Sequence, residues 1–205
     1  MARNIPGRTI TGVTRGEERR AQIVESATRL FAEQGVRATT LTEIAADAGM
    51  KRPALLHHFE SKEALIHAVM DGHARNFTAT QRSIAKYRGL EAISHLVEIA
   101  EYDAANPARV ALWNALVADT TSAESTLRGR VLEYYALFRF AVGVMLDQAA
   151  EDGTLRDGVD RKMVANTIIA FLNGIETSWV LDPDLPLVPT VRKFLDDMVT
   201  SLRKP

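Results

Sequence analysis

Residues 40–59, TLTEIAADAGMKRPALLHHF, decide how the rest of the chain is read, because they spell two short helices joined by a tight turn. Thr40 and Glu43 have the spacing of a capping box. In that motif the threonine hydroxyl accepts the N–H of the third helical residue and the glutamate returns to the cap N–H. Ile44, Ala45 and Ala48 form a short apolar stripe behind that start, and Gly49 is the residue type that takes the left-handed conformation ending a helix. Met50 then plugs the turn into the core. Lys51 and Arg52 bring positive charge, and Pro53 suits the first turn of a second helix, where its missing N–H leaves no bond unmade. The spacing predicts that second helix to about His58.

Upstream, Thr14 and Glu17 repeat the capping-box spacing, and Ile23, Val24, Ala27, Leu30 and Phe31 recur at helical intervals until Gly35. A first helix over about 15–34 follows, packing over the next two to make a three-helix domain, 15–60, whose exposed product is 51–58. Residues 1–14 mix Gly, Pro and Thr with Arg3 and Arg8 and show no periodicity. They read as a flexible basic arm able to reach a minor groove or run along phosphates, with a frayed terminus as the alternative. Downstream, Ser61 caps a fourth helix that opens Lys62, Glu63, Ala64, Leu65.

Charge supports the same reading. Residues 1–62 carry ten Lys and Arg against seven acids, for +3, and the remaining 15 basic and 19 acidic residues leave −4. A basic end on an acidic body suits a protein that presents one end to a polyanion. At 205 residues and 46% hydrophobic, the chain can bury a substantial core, so bulk disorder is excluded. The absence of cysteine excludes disulfides, thiolate metal sites and cysteine nucleophiles. No apolar run approaches the roughly 18 residues of a membrane span, and residues 1–20 contain no hydrophobic signal region. A soluble, cytoplasmic protein with no membrane partner is expected.

The run from Glu17 through Val69 resembles the N-terminal domain of the TetR family of bacterial transcriptional repressors. The resemblance is carried by Phe31 and Gly35, Thr39 and Thr40, Ile44 and Ala45, Ala48 and Gly49, Leu55, His57, His58 and Phe59, then Ser61, Lys62, Glu63 and Leu65. It covers about a quarter of the chain. It implies an all-α homodimer with two DNA-reading heads and a helical C-terminal domain, 61–205, that binds a small molecule and pairs the subunits. Two positions depart from the family pattern. Lys51 stands where Ser or Thr is common and cannot accept a backbone N–H, and Leu56 stands where a tyrosine usually reaches the DNA backbone.

Within the second short helix, Arg52 is the candidate for a direct base contact, since a guanidinium donates two bonds to O6 and N7 of guanine. Pro53 and Ala54 are small enough to let the helix sit deep, and Ala54 suits a thymine methyl. Thr40, Lys51, His58 and Lys62 are phosphate candidates, with His57 also available. Glu63, His67 and Asp71 share a helix face near His73, but such a stripe is usually solvated, so no metal, cofactor or catalysis is expected. His95, among Ile93, Leu96 and Ile99, reads as lining a core.

The remainder reads as helices in sequence, about nine in all. The fourth is expected to run to about Lys86, a fifth follows Arg88-Gly89, and Asn106-Pro107 opens a sixth. The longest runs from Ser122 to about Asp152, Gly153 closes it, and residues 152–160 turn the chain. Arg161 to Leu181 and Val188 to Leu202 are more apolar than one neighbour requires. By the resemblance they form the dimer interface, with Phe171, Gly174, Ile175, Trp179, Phe194 and Met198 as candidates; finishing the monomer core is the alternative. Phe77, Tyr102, Trp113, Tyr135, Arg139, Asn166 and Asn173 are candidates for an effector pocket. This half loosely resembles the family's choline-pathway subgroup, without a clear cluster of aromatics and acids in the sequence. The expected function is an effector-released repressor on a pseudo-palindromic operator. A ligand-binding module without DNA binding and a helical metalloenzyme are the other classes considered.

Overall fold

The computed structural model describes residues 14–120, 125 and 127–205, and for 73–81 the backbone alone. The fold is all-α, as expected, with ten helices among the described residues: α1 (Arg15–Gln34), α2 (Leu41–Asp47), α3 (Arg52–His58), α4 (Lys62–Ile84), α5 (Gly89–Ser94), α6 (Val97–Ala104), α7 (Pro107–Asp119), α8 (Arg128–Glu151), α9 (Arg161–Leu181) and α10 (Leu187–Leu202). Packing divides the chain into two compact units, Met1–His73 and Ala74–Pro205, the division falling inside α4. The expected basic arm lies outside the described residues except for Thr14, which is the cap of α1.

In the first unit α1 packs on α2 and α2 on α3. Ile23, Ala27 and Phe31 of α1, Ile44 of α2 and Leu55 of α3 are completely buried. Thr39, also buried, donates its hydroxyl to the carbonyls of Leu30 (3.2 Å) and Gly35 (2.8 Å), tying the α1–α2 connection to the end of α1.

In the second unit α8 packs on α5 and α9, α9 on α7 and α10, and α10 on α5 and α6. Ile84, Ile93, Leu96, Val142, Leu146, Ile168 and Val191 are buried at its centre. The turn at 152–160 is pinned by the C-terminus: Leu155 bridges Arg203, Arg156 N–H donates to Leu202 O (2.9 Å) and Lys204 N–H to Thr154 O (2.8 Å).

Three helix expectations need correction. The single fifth helix is two, because the chain tightens at His95 and Leu96, where Leu96 N–H donates three residues back to Ile93 O. The His95 ring stacks on Tyr87 at 3.3 Å and its Nδ1 lies 3.0 Å from Glu98, so the break is held by side chains. The longest helix starts at Arg128, not Ser122; Ser125 turns the chain there, its hydroxyl accepting Leu127 N–H, while residues 121–124 lie outside the described residues. α4 ends two residues earlier than expected, at Ile84. One described helix, α9, is long and apolar enough to cross a membrane by length and composition, contrary to the sequence reading, because small and neutral polar residues do not lower its hydropathy much. Here it packs against α7, α8 and α10.

Candidate DNA-reading face and effector centre

The short helices of the head are set by local bonds. At Thr40 both halves of the capping box form: Oγ1 accepts Glu43 N–H at 3.2 Å and the Glu43 carboxylate accepts Thr40 N–H at 2.7 Å. α2 then stops in a Schellman turn. Met50 N–H donates to Ala45 O (2.8 Å), Gly49 N–H to Ala46 O (3.0 Å), and Gly49 has φ +67°. Thus the turn between the helices is written in the backbone.

α3 opens with Lys51 in the cap position and no side-chain bond there, as a residue without an acceptor requires. Leu55 and Phe59 face inward, while Arg52, Pro53, Ala54, Leu56 and His57 are exposed and His58 is half-buried. The result is a solvent-facing strip with one guanidinium near its start and small residues beside it. Two phosphate candidates are already engaged. The Thr40 hydroxyl donates to Glu43 (2.7 Å), and Lys62 Nζ donates to Arg37 O (3.3 Å). Thr40's hydrogen bonds also hold the Glu43 carboxyl below the usual range, and the Arg29 guanidinium, paired with Asp47 across α1 and α2, does the same to Asp47.

The second unit holds a different kind of assembly. Trp113 of α7 donates its ring N–H to Asn173 of α9 at 3.3 Å and meets the rings of Tyr134 (4.4 Å) and Tyr135 (5.9 Å) of α8. Alongside lie two buried carboxyls, Asp103 of α6 at 1% exposure and Glu176 of α9 at 8%. Arg109 pairs with Asp103 and lies 5.0 Å from the ring of Tyr102. Burial pushes both carboxyls up, Glu176 well above the usual range; repulsion from Asp103 adds to the rise at Glu176, while Arg109 opposes it at both. Burial also raises Tyr134 and Tyr135. Among the described residues, two acids share one guanidinium at this centre, and burial makes both carboxyls hold a proton more tightly than an ordinary acid.

A separate groove of about 410 Å³ lies among the end of α4, α5 and α8, lined by Ile84, Tyr87, Leu137, Phe140, Val144 and Met145. Leu137 and Phe140 are 62% and 72% exposed.

Residues 23–69 match the family model described as bacterial regulatory proteins, tetR family, and residues 90–204, more than half of the chain, match the one described as BetI-type transcriptional repressor, C-terminal. The chain belongs to the TetR family. Among its relatives, the repressor KstR2 of Rhodococcus jostii is 30% identical over 166 residues, covering 79% of this chain and 77% of that one. The regulator TtgR of Pseudomonas putida is 27% identical over 206 residues, covering 91% and 92%. The structure of a regulator from Saccharomonospora viridis in complex with choline superposes with a TM-score of 0.76 at 19% identity, covering 92% and 99%. This TetR-family chain is accordingly a helix-turn-helix transcriptional regulator with a ligand-binding C-terminal domain, in a family of regulators rather than enzymes.

Of the effector candidates in this TetR-family chain, Trp113, Tyr135 and Asn173 come together, and Tyr102 joins them through Arg109. Arg139 and Asn166 are half-buried, and among the described residues no hydrogen bond, ion pair or ring contact joins either to that centre. Phe77 lies outside the described side chains. The sequence showed no cluster of aromatics and acids, yet folding assembles one, since its members stand between positions 102 and 176. Asp103, Arg109, Tyr134 and Glu176 were missed as site residues. A signal existed: Ala165, Ile168, Leu172 and Glu176 form one buried stripe of α9, and Ile99, Ala100 and Asp103 one of α6, so each acid occupies an apolar register. Of the pairing candidates, Phe171 and Phe194 stack at 3.7 Å within the chain, Ile175, Trp179 and Met198 are partly buried beside them, and a Cβ at Gly174 would meet nothing within 4 Å.

Proposed function

We propose that the protein is a homodimeric repressor that binds a pseudo-palindromic operator in the cytoplasm and is released by a small-molecule effector. The carrying observation is the exposed strip of α3, Arg52 to Ala54 with His57, presented on a buried scaffold whose turn is fixed by Gly49. Arg52 reads guanine in the major groove, Ala54 meets a thymine methyl, and Pro53 allows close approach. Thr40, Lys51, His57, His58 and Lys62 supply backbone contacts, which fix position and affinity rather than sequence. Pairing runs through α9 and α10 at Phe171, Gly174, Ile175, Trp179, Phe194 and Met198, and sets the two heads about 34 Å apart, one helical turn. The apolar excess of α9, with Leu181 at 81% exposure and Met163 at 61%, supports a second copy there.

Tyr102, Trp113, Tyr135 and Asn173 remain the effector contacts, with Asp103, Tyr134 and Glu176 added. The excess of acids over guanidinium and the four aromatic rings favour an effector with a cationic nitrogen, the group that choline carries in the Saccharomonospora viridis complex. Such an effector competes with protons for the two carboxyls, favours one arrangement of α6 to α9, and lowers operator affinity by population shift.

A gel-shift assay with the protein's own upstream region tests the DNA reading. Lys62→Ala should weaken binding to every duplex alike; a loss confined to the preferred sequence would contradict its backbone role. Operator release by choline but not by its uncharged carbon isostere, 3,3-dimethylbutanol, tests the effector class. Equal release by both would remove the charge argument.

A further inference from the structure

Seven residues are far too few to hold a helix in water, where about 12 to 15 are needed even for favourable sequences. α3 is therefore held from outside, and its two ends differ. At the N-terminal end Lys51 provides no cap. At the C-terminal end Arg20, reaching from α1 across 38 positions of sequence, donates Nη1 to the carbonyl of His58 at 2.8 Å. The same guanidinium lies over the ring of Phe59, its central carbon 4.0 Å from the centroid.

We infer that Arg20 is a positioning residue that fixes the angle at which α3 presents Arg52 and Ala54 to the bases. His58 is the last residue of α3 and Phe59 its buried C-cap, so one side chain grips both the final carbonyl and the core anchor. A cation belongs at this end, where the helix dipole is negative and the last carbonyls lack partners within the helix. A guanidinium suits the place better than an ammonium, since it donates in plane while its face covers the ring. Arg20 is itself held firmly. It stands one turn beyond the capping box of α1, where Thr14 N–H donates to Glu17 at 2.7 Å and Glu17 N–H to the Thr14 hydroxyl at 3.2 Å. Rigidity at the start of α1 thus passes through Arg20 to the far end of the reading helix. Four residues from two helices set the angle: Thr14, Glu17, Arg20 and Phe59.

This inference rests on α3 as the DNA-contacting helix. The test compares the full-length wild type with Arg20→Met and Arg20→Lys on two duplexes: one enriched by the wild type from a random-sequence pool, and a scrambled duplex of equal length, each titrated at several salt concentrations. For Arg20→Met the ratio of affinities for the two duplexes should fall about tenfold, with the salt slope on the scrambled duplex unchanged. Arg20→Lys keeps the charge and a donor but loses the guanidinium over the Phe59 ring, so its ratio should fall by roughly threefold. It also carries the test if the methionine variant fails to fold. A salt slope reduced by about one with the ratio intact would make Arg20 a phosphate ligand and overturn the inference. A lower melting temperature with an unchanged ratio would make it merely structural and overturn it equally. If the wild type itself shows neither a preferred duplex nor salt dependence, the assignment of α3 fails first.

Discussion

In the head, Glu17, Glu43 and Asp47 lie at the surface and work as ionised acceptors: the first two close capping boxes and the third pairs with Arg29. In the body, Asp103 and Glu176 are buried against each other with one guanidinium between two acids. The surface carboxyls are therefore held below their ordinary pKa and the buried pair above it. In the head the starts of α1 and α2 are set by bonds three residues apart. In the body, long-range burial brings two acids to one guanidinium, an arrangement that is a poor device for stability.

The largest effect separating the two regions is expected at Arg52. Arg52→Ala should cost about 1–3 kcal/mol of discrimination between preferred and scrambled duplexes while leaving the response to effector intact. Gel shifts with and without choline measure both. Loss of effector response in that variant would break the division of labour.

Glu176→Gln should act the other way round, leaving sequence preference untouched and weakening release by a cationic effector by roughly tenfold. It should also change the pH profile. An acid raised in the folded state binds more protons there than in the unfolded chain, so it stabilises below its ordinary value of 4.5 and this contribution is lost as pH rises. The glutamine variant should lose less stability than wild type between pH 5 and pH 8 in urea unfolding (roughly, on the ordinary titration range). Parallel profiles for the two proteins would remove the buried ionisation from the account.

The head should show the reverse sign. Its carboxylates are depressed, so their contribution is present above 4.5 and lost as pH falls. Thr40→Ala should destabilise the head by about 1 kcal/mol and flatten its acid limb, because it removes the capping partner of Glu43. Hydrogen exchange at amides of α2 gives the readout, and unchanged protection would count against the capping box as its source.

The smallest effect is expected from Lys51→Ser, which supplies a cap acceptor and removes a charge. The salt slope of DNA binding should decrease by about one. An unchanged slope would mean that Lys51 touches no phosphate.

The same contrast explains what the sequence could reveal. α1, α3 and α9 begin and end at their expected places, or within a residue of them, because Thr14, Gly35, Pro53 and Asp160 act on their immediate neighbours. The break between α5 and α6 was hidden, since Ile93, Leu96, Val97 and Ala100 keep helical spacing across it and the ring of Tyr87 reaches it from another segment. Trp113, Tyr135 and Asn173 were recognisable as polar or aromatic residues on apolar faces. Asp103 and Glu176 are legible only by register, since each falls on the buried stripe of its helix. Arg20 gave no sign at all, as its partner is a backbone carbonyl.

The pinning of Leu202 to Lys204 against residues 154–156 bears on how the protein comes into being. During synthesis the residues of the first unit, to His73, leave the ribosome before those of the body, whose turn at 154–156 waits for residues 202–204. N-terminal units fold first on emerging. Every newly made molecule therefore passes through a stage in which a finished DNA reader is attached to an unfinished regulator.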